Sequence, residues 1–272
     1  MRIEPGFQGP GSYIPLIILL IIFMIGLTIA INSTHVSRKP QPFLAVEPYL
    51  AVDMPAGFIY NGTPTTALAG WYCIRSINSS NGYSIQLDAF LNNTVWVQDT
   101  YINSPNGQTG FYTIVWPAVP GPIPHKFVPA TTTCAWLVIT IEGGYVHIGY
   151  SLDGRSTTWY YTYPANATYI LPGPTTELVL AGYVNGTQAQ LGNGTLVYFA
   201  LYYWNGTNWE PAPLVISEGE LFIESVNHAW AYTSGYCSGY VAWFGRNETN
   251  PETPVLPGNL EPVCLTPPSF KP

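Results

Sequence analysis

Residues 144–152 read GYVHIGYSL. In an extended chain Val146, Ile148 and Tyr150 share one face, and Tyr145, His147 and Gly149 share the other. This period of two is what a strand requires. Segments of the same kind recur on both sides, broken by Gly, Asn and Pro. Before it come 69–76 (AGWYCIRS), 83–91 (YSIQLDAFL), 94–102 (TVWVQDTYI), 110–116 (GFYTIVW) and 134–141 (CAWLVITI). After it come 156–163 (STTWYYTY), 177–184 (ELVLAGYV), 195–204 (TLVYFALYYW), 213–217 (PLVIS), 220–227 (ELFIESVN) and 239–244 (GYVAWF). About a dozen short strands at this spacing predict an all-β, two-sheet sandwich of jelly-roll type.

One segment breaks the pattern. Tyr13 to Ile31 reads YIPLIILLIIFMIGLTIAI, and no charge lies between Glu4 and His35. A helix needs about 20 apolar residues to cross the hydrocarbon core. The run is longer than the roughly 7–15 residues of a signal-peptide core and no A-x-A site follows, so it reads as a retained signal anchor. Arg2 lies on one side of it, Arg38 and Lys39 on the other, so charge alone does not orient it. The downstream chain does. Nine N-x-[ST] sequons fall at Asn32, Asn61, Asn78, Asn92, Asn166, Asn185, Asn193, Asn205 and Asn247, which favours a glycosylated exterior. All four cysteines, Cys73, Cys134, Cys237 and Cys264, also lie downstream. An even count without metal spacing reads as two disulfides, with three pairings open and Cys73–Cys134 plus Cys237–Cys264 the most local.

The organisation expected is a cytoplasmic N-terminus (1–12), a transmembrane helix (13–34), a Pro-rich stalk or leading strand (35–57), a sandwich ectodomain (58–247) and a Pro-rich tail (248–272). Residues 117–133 (PAVPGPIPHKFVPATTT) read as a long exposed loop. The expected location is a cell or virion surface, single-pass, with the C-terminal part outside and residues 13–31 in the membrane.

Charged residues make up only 8% of the chain and the net charge is -7. From residue 41 onward there are 14 carboxylates against five bases, Arg75, Lys126, Arg155, Arg246 and Lys271. With no basic cluster, nucleic acid is not an expected partner. A fold with so few ion pairs loses little when carboxylates protonate, so tolerance of acid is expected.

Several blocks carry a resemblance. YSIQLDAFL followed by VWVQD (83–99) resembles a strand pair ending in W-x-Q-[ND]. GYVHIGYSL (144–152) is similar to a YVxIGY strand, TELVLAG (176–182) to ELVxGG, and FALYYWNGTNWEPAP (199–213) to an LYY…NG…PxP block. In this order they resemble thermopsin, the acid endopeptidase family of thermoacidophilic archaea. The resemblance covers roughly residues 80–230. It implies a concanavalin-like sandwich, an archaeal origin in a hot acidic habitat, and peptide substrates. Two stretches depart from the family. LVISEGELFIES (214–225) stands where an FGxDTAE-type stretch is found, and WYYTY has Thr162 where a YYD-type step has Asp.

An acid peptidase without metal needs two nearby carboxyls, one protonated and one activating water. Glu177, matching the Glu of the ELV block, is the leading candidate. Glu220 and Glu224 are its candidate partners, set on one face of a strand at a spacing of four. Asp99 falls where the family has Asp or Asn and is given no catalytic role. Glu142 and Asp153 precede glycines and read as turn residues. His35, His125, His147 and His228 are scattered without metal-ligand spacing, so neither metal nor cofactor is expected. Two functions follow: a membrane-anchored, thermopsin-like acid endopeptidase, or a non-catalytic surface glycoprotein. The second would be an envelope, filament or virion subunit contacting its neighbours, or a sugar-binding adhesin using aromatic runs such as Trp159-Tyr160-Tyr161.

Overall fold

The computed structural model describes residues 47–117, 122–183, 187–192, 194–216, 224–236, 239–245 and 265–272. The apolar segment 13–31, Glu220, Cys237 and Cys264 lie outside these residues, as do Asn32, Asn185, Asn193 and Asn247. Among the described residues every regular element is a strand, and no helix is long and apolar enough to cross a membrane.

The strands in chain order begin with β1 (Glu47–Met54), β2 (Ala56–Tyr60), β3 (Ala67–Ser76), β4 (Tyr83–Leu91), β5 (Trp96–Asn103) and β6 (Thr109–Trp116). They continue with β7 (His125–Pro129), β8 (Cys134–Glu142), β9 (Tyr145–Ser151), β10 (Thr158–Tyr163), β11 (Ile170–Leu171) and β12 (Glu177–Ala181). The last are β13 (Gln188–Ala189), β14 (Leu196–Trp204), β15 (Trp209–Pro211), β16 (Leu214–Ile216), β17 (Ser225–Tyr236) and β18 (Gly239–Gly245). They form two sheets. Sheet A runs β1-β17-β18-β14-β3-β8-β9-β10, with β13 on β17 and β15 on β14. Sheet B runs β16-β2-β12-β4-β5-β6-β7, with β11 on β4.

The predicted all-β sandwich is therefore present. Within 35–57, residues 47–54 form β1, paired along its length with β17. The proline-rich loop 117–133 is corrected: His125–Pro129 adds an edge strand to β6. Only one neighbour is needed there, which is why a strand with Pro at its end survives. The strand expected at 220–227 starts at Ser225 and runs to Tyr236.

Period-two alternation builds the core. Ile85, Leu87, Ala89 and Leu91 of β4, Val97 and Tyr101 of β5, Phe111 and Val115 of β6, and Leu178 and Leu180 of β12 face sheet A. Opposite them stand Leu137, Ile139 and Ile141 of β8, Val146 and Ile148 of β9, and Val197, Phe199 and Leu201 of β14. At about 25 cal/mol per Å² of apolar surface, burial of these side chains is the main force holding the sheets together. Cys73 and Cys134 sit directly opposite across β3 and β8 and form a disulfide. A second, smaller cluster lies on the outer face of sheet A. There the C-terminal segment seats Phe270 against Trp136 and Trp209.

Candidate active site

The outer face of sheet B is the unusual surface. Alternation that sends Ile85, Leu87 and Ala89 inward sends Ser84, Gln86, Asp88 and Phe90 outward. On β5 the outward set is Trp96, Gln98, Thr100 and Ile102; on β12 it is Glu177, Val179 and Ala181. An outer sheet face normally meets water. Here Ser84, Gln86, Asp88, Gln98, Thr100 and Glu177 are all buried.

Two local devices set the register. The β4–β5 hairpin closes through Asn92-Asn93-Thr94, where Leu91 N donates to Val95 O at 2.8 Å and Thr94 N to Leu91 O at 3.0 Å. Thr94 takes a left-handed φ of 67° to complete the turn. This places Asp88 opposite Gln98. At the start of β12, Thr176 Oγ1 donates to Leu171 O at 2.6 Å and accepts from Phe90 N at 3.0 Å. That lock holds Glu177 opposite Asp88. The result is a straight row across three strands, Glu177–Asp88–Gln98. Directly opposed residues have Cβ atoms about 4.5–5.5 Å apart.

Two carboxyls at that separation inside a buried face do not ionise together. Burial raises the Asp88 pKa well above the ordinary carboxylate range, and the facing Glu177 raises it further. Gln98 pulls the other way, and the more remote Glu224 and Asp99 add to the rise. Neither Asp88 oxygen closes a hydrogen bond of normal geometry, so little stabilises its charged form.

A directed chain of hydrogen bonds fixes the amide of Gln98. Trp116 Nε1 donates to Gln98 Oε1 at 2.9 Å, and Gln98 Nε2 donates to Gln86 Oε1 at 3.0 Å. Gln86 Nε2 donates in turn to Ser84 Oγ at 2.7 Å and to Glu224 Oε2 at 3.2 Å. Ser84 ends the chain on the carbonyl of Gly182. Because the indole N–H of Trp116 can only donate, the Gln98 amide has one arrangement, Oε1 toward Trp116 and Nε2 toward Gln86.

Of the residues singled out in the sequence, Glu177 is in this row and Glu224 touches it through Gln86. Glu224 precedes β17 rather than lying within a strand. Asp88, Gln86, Gln98 and Trp116 were not singled out. Asp99 lies on the other face of β5. Its Oδ1 accepts from Tyr160 Oη at 2.6 Å and its Oδ2 from Val138 N at 3.0 Å. Asp153 serves its turn, accepting from the backbone N–H groups of Arg155 and Ser156. These bonds hold its pKa down at about 2. In the aromatic runs, the consecutive Tyr160 and Tyr161 both pack against the core, at a register shift in β10, and Tyr202 is buried, so these members are structural. Asn61, Asn78, Asn92, Asn166 and Asn205 are exposed. Among the described residues no group of three His, Cys, Asp or Glu side chains is placed to hold a metal.

The fold and this face together define a β-sandwich with a buried carboxyl–amide row on one outer sheet surface. Among solved structures the chain is similar to scytalido-glutamic peptidase with a transition state analog inhibitor, at 10% identity and a TM-score of 0.44. The similarity covers 74% of this chain and 99% of that one. It is similar also to SCP-B, a member of the eqolisin family of peptidases, in complex with the tripeptide Ala-Ile-His. The identity there is 9% and the TM-score 0.39, over 74% and 99% of the two chains. A functionally unknown protein from Saccharomyces cerevisiae matches at 12% identity and a TM-score of 0.32, over 62% and 95%. No family model matches the chain, and no curated protein does.

Proposed function

We propose that this protein is an acid-acting endopeptidase whose reacting groups are Glu177, Asp88 and Gln98. The observation that carries the reading is the direct opposition of Glu177 and Asp88 on β12 and β4, with Gln98 next in the row. Asp88, raised by burial and by Glu177, is the general acid. Glu177, ionised when Asp88 holds the shared proton, takes a proton from water as that water attacks the peptide carbonyl. The second N–H of Gln98, beyond the one given to Gln86, is placed to meet the developing oxyanion. The C–N bond then breaks as Asp88 gives its proton to the leaving amine. Passage of the proton from Glu177 back to Asp88 restores the pair. The ordered blocks that resemble thermopsin support the same reading. In it the catalytic domain stands outside the cell on the membrane segment 13–31, and its exposed sequon asparagines carry glycans.

The test is cleavage of a denatured protein by the purified full-length chain between about pH 2 and 4, beside Glu177→Gln. Cleavage lost in a folded Glu177→Gln variant supports the proposal. No cleavage by the folded wild type overturns it. A second reading has its own observation: Asp88 and Glu177 are fully buried. A pair kept for the fold alone, in a non-catalytic surface glycoprotein, predicts that second outcome.

A further inference from the structure

The outer face of sheet A, across the sandwich from the carboxyl row, is largely covered. Trp136, Val138 and Trp209 are buried in the cluster that takes Phe270. The cover does not reach Trp159, which ends the row Val138–Gly149–Trp159 and is 40% exposed. The indole is held nonetheless. Gly149 makes room for it, since a Cβ there would lie 2.6 Å from Trp159 Cε3 and 2.9 Å from Thr157 Cγ2. The His147 ring meets it edge-on, with centroids 6.1 Å apart. A bulge in β10 gathers neutral polar groups around this ring. The register slips between Trp159 and Tyr161, so Tyr160 and Tyr161 both pack against the core while Thr162 comes opposite His147. Thr162 Oγ1 and His147 Nδ1 lie 3.1 Å apart, which leaves Nε2 for another partner. Thr140, next in that row, and Thr157, beside Trp159, each bury a hydroxyl that closes no hydrogen bond among the described residues. Such hydroxyls cost free energy until they are paired. Two residues along β9 from His147, on the same face, Tyr145 is 49% exposed, with Glu142 opposite it.

We propose that this face binds a neutral oligosaccharide, with one pyranose ring stacked on Trp159 and a further ring at Tyr145. The inference stands apart from the peptidase reading. A pyranose has an apolar face of C–H bonds and a rim of hydroxyls that both donate and accept. The C–H face matches an exposed indole, whose π-face carries partial negative charge. The rim meets His147 Nε2 and Thr162. It meets Thr157 too, because Thr157 is half-buried and a turn about its χ1 exchanges methyl and hydroxyl. The four residues from Gly149 to Tyr145 span about 13 Å of strand, so linked rings, not one, reach both aromatics. Other occupants match this face less well. Two exposed aromatic side chains fall far short of the roughly 1,000 Å² that a stable protein partner buries. None of the side chains named is Lys or Arg, so nothing pairs with a phosphate or carboxylate. An apolar peptide side chain on Trp159 would leave the surrounding hydroxyls unpaired.

The probes are three neutral trisaccharides, cellotriose, maltotriose and mannotriose, each titrated by calorimetry into the full-length protein. Saturation-transfer NMR on the same samples reports which sugar protons touch the protein. At least one trisaccharide should bind, with its ring C–H protons receiving the most saturation. Trp159→Ala should weaken that binding at least about tenfold, the scale of a lost aromatic contact, and Trp159→Phe should restore part of it. Tyr145→Ala, a separate exposed position, should weaken it about threefold or more. Glu177→Gln, on the other sheet, should bind as the wild type does. No binding of any of the three at about 10 mM sugar would overturn the proposal. So would binding untouched by both Trp159→Ala and Tyr145→Ala, or binding lost in Glu177→Gln, which would put the sugar on sheet B.

Discussion

The carboxylate of Asp99 on sheet B and the hydroxyl of Tyr160 on sheet A are joined by a 2.6 Å hydrogen bond through the interior of the sandwich. The other oxygen of Asp99 accepts from the backbone of Val138 in the same sheet as Tyr160. Full burial pushes the Asp99 pKa up to about 8, although Tyr160, Val138 and Thr100 all pull it down. In the unfolded chain it would titrate near 3.9. Between these values the folded protein holds a proton that the unfolded chain releases. Stability therefore falls as pH rises from about 4 to 8, by something on the order of 5 kcal/mol, and is complete below that window. Asp88, raised by burial and Glu177, acts in the same direction. The exposed Asp153 acts in the opposite one, below its ordinary range. Melting temperature measured from pH 3 to 9 should be highest in acid. Asp99→Asn should flatten the fall between pH 5 and 8. A wild-type profile that rises toward neutral pH would refute this account of Asp99.

Asp88 and Glu177 should separate in their mutational signatures. Asp88→Asn replaces a carboxyl that is neutral in acid with a neutral isostere. The fold should be unchanged at low pH and more stable near neutrality, while proteolysis falls by at least about a hundredfold for want of the acid. Glu177→Gln removes the base and also the charge that raises Asp88. Activity should fall as far, and the pKa of Asp88 should drop toward the ordinary range. Carboxyl 13C chemical shifts followed through a pH titration report that drop directly. An Asp88 titration that does not move in Glu177→Gln would show that the two groups do not share charge.

How much of this was readable beforehand depends on what carried the signal. Strands such as 83–91 and 134–141 were legible because apolar residues alternate within one short segment. The strand β7 was not, because His125-Lys126-Phe127-Val128 is short, exposed and bracketed by prolines. Glu177 was legible only through its block, and Asp88 not at all. Asp88 lies out of phase with the Ile85–Leu87–Ala89 stripe, which says it faces outward. It does not say that the outward face is buried, or that Gln98 and Glu177 stand beside it. Register between distant strands supplies that, and a hairpin turn and one threonine lock set the register. The strand expected at 220–227 placed Glu224 inside a strand, but β17 begins at Ser225, and the alternation of one short segment does not mark where a strand starts; Glu220 lies outside the described residues.

Gly57 tests how tightly the register near Glu177 is held. It lies opposite Val179 on β12. A Cβ there would sit 2.1 Å from Leu178 O and 2.7 Å from Val179 Cα, both backbone atoms that cannot rotate away. Gly57→Ala should therefore force β2 off β12 at a cost of about 3 kcal/mol or more, in the range of overpacked cores. Gly107 is the control. It has a left-handed φ of 78° but no atom within 4 Å of an added Cβ. Gly107→Ala should cost only about 1–2 kcal/mol of backbone strain. Urea midpoints of the two variants at one pH decide the comparison. Equal losses would mean that β2 can move without penalty.

The C-terminal segment offers a prediction about local rather than global stability. Phe270 is buried edge-on between Trp136 and Trp209, and its carbonyl accepts from Trp209 Nε1 at 2.8 Å. Ser269 N adds a bond to Gly154 O at 2.7 Å. These contacts lie outside the inter-sheet core, on the far face of sheet A, so the segment can leave without opening the sandwich. Phe270→Ala in a buried site would cost about 3 kcal/mol if the segment were part of the cooperative unit. If it opens alone, the loss in global stability is capped at the free energy of its own docking. The expected result is a small change in urea midpoint, a red shift of tryptophan emission as Trp136 and Trp209 meet water, and faster hydrogen exchange at Ser269. A full loss of about 3 kcal/mol with no separate early transition would instead place the segment inside the folding unit.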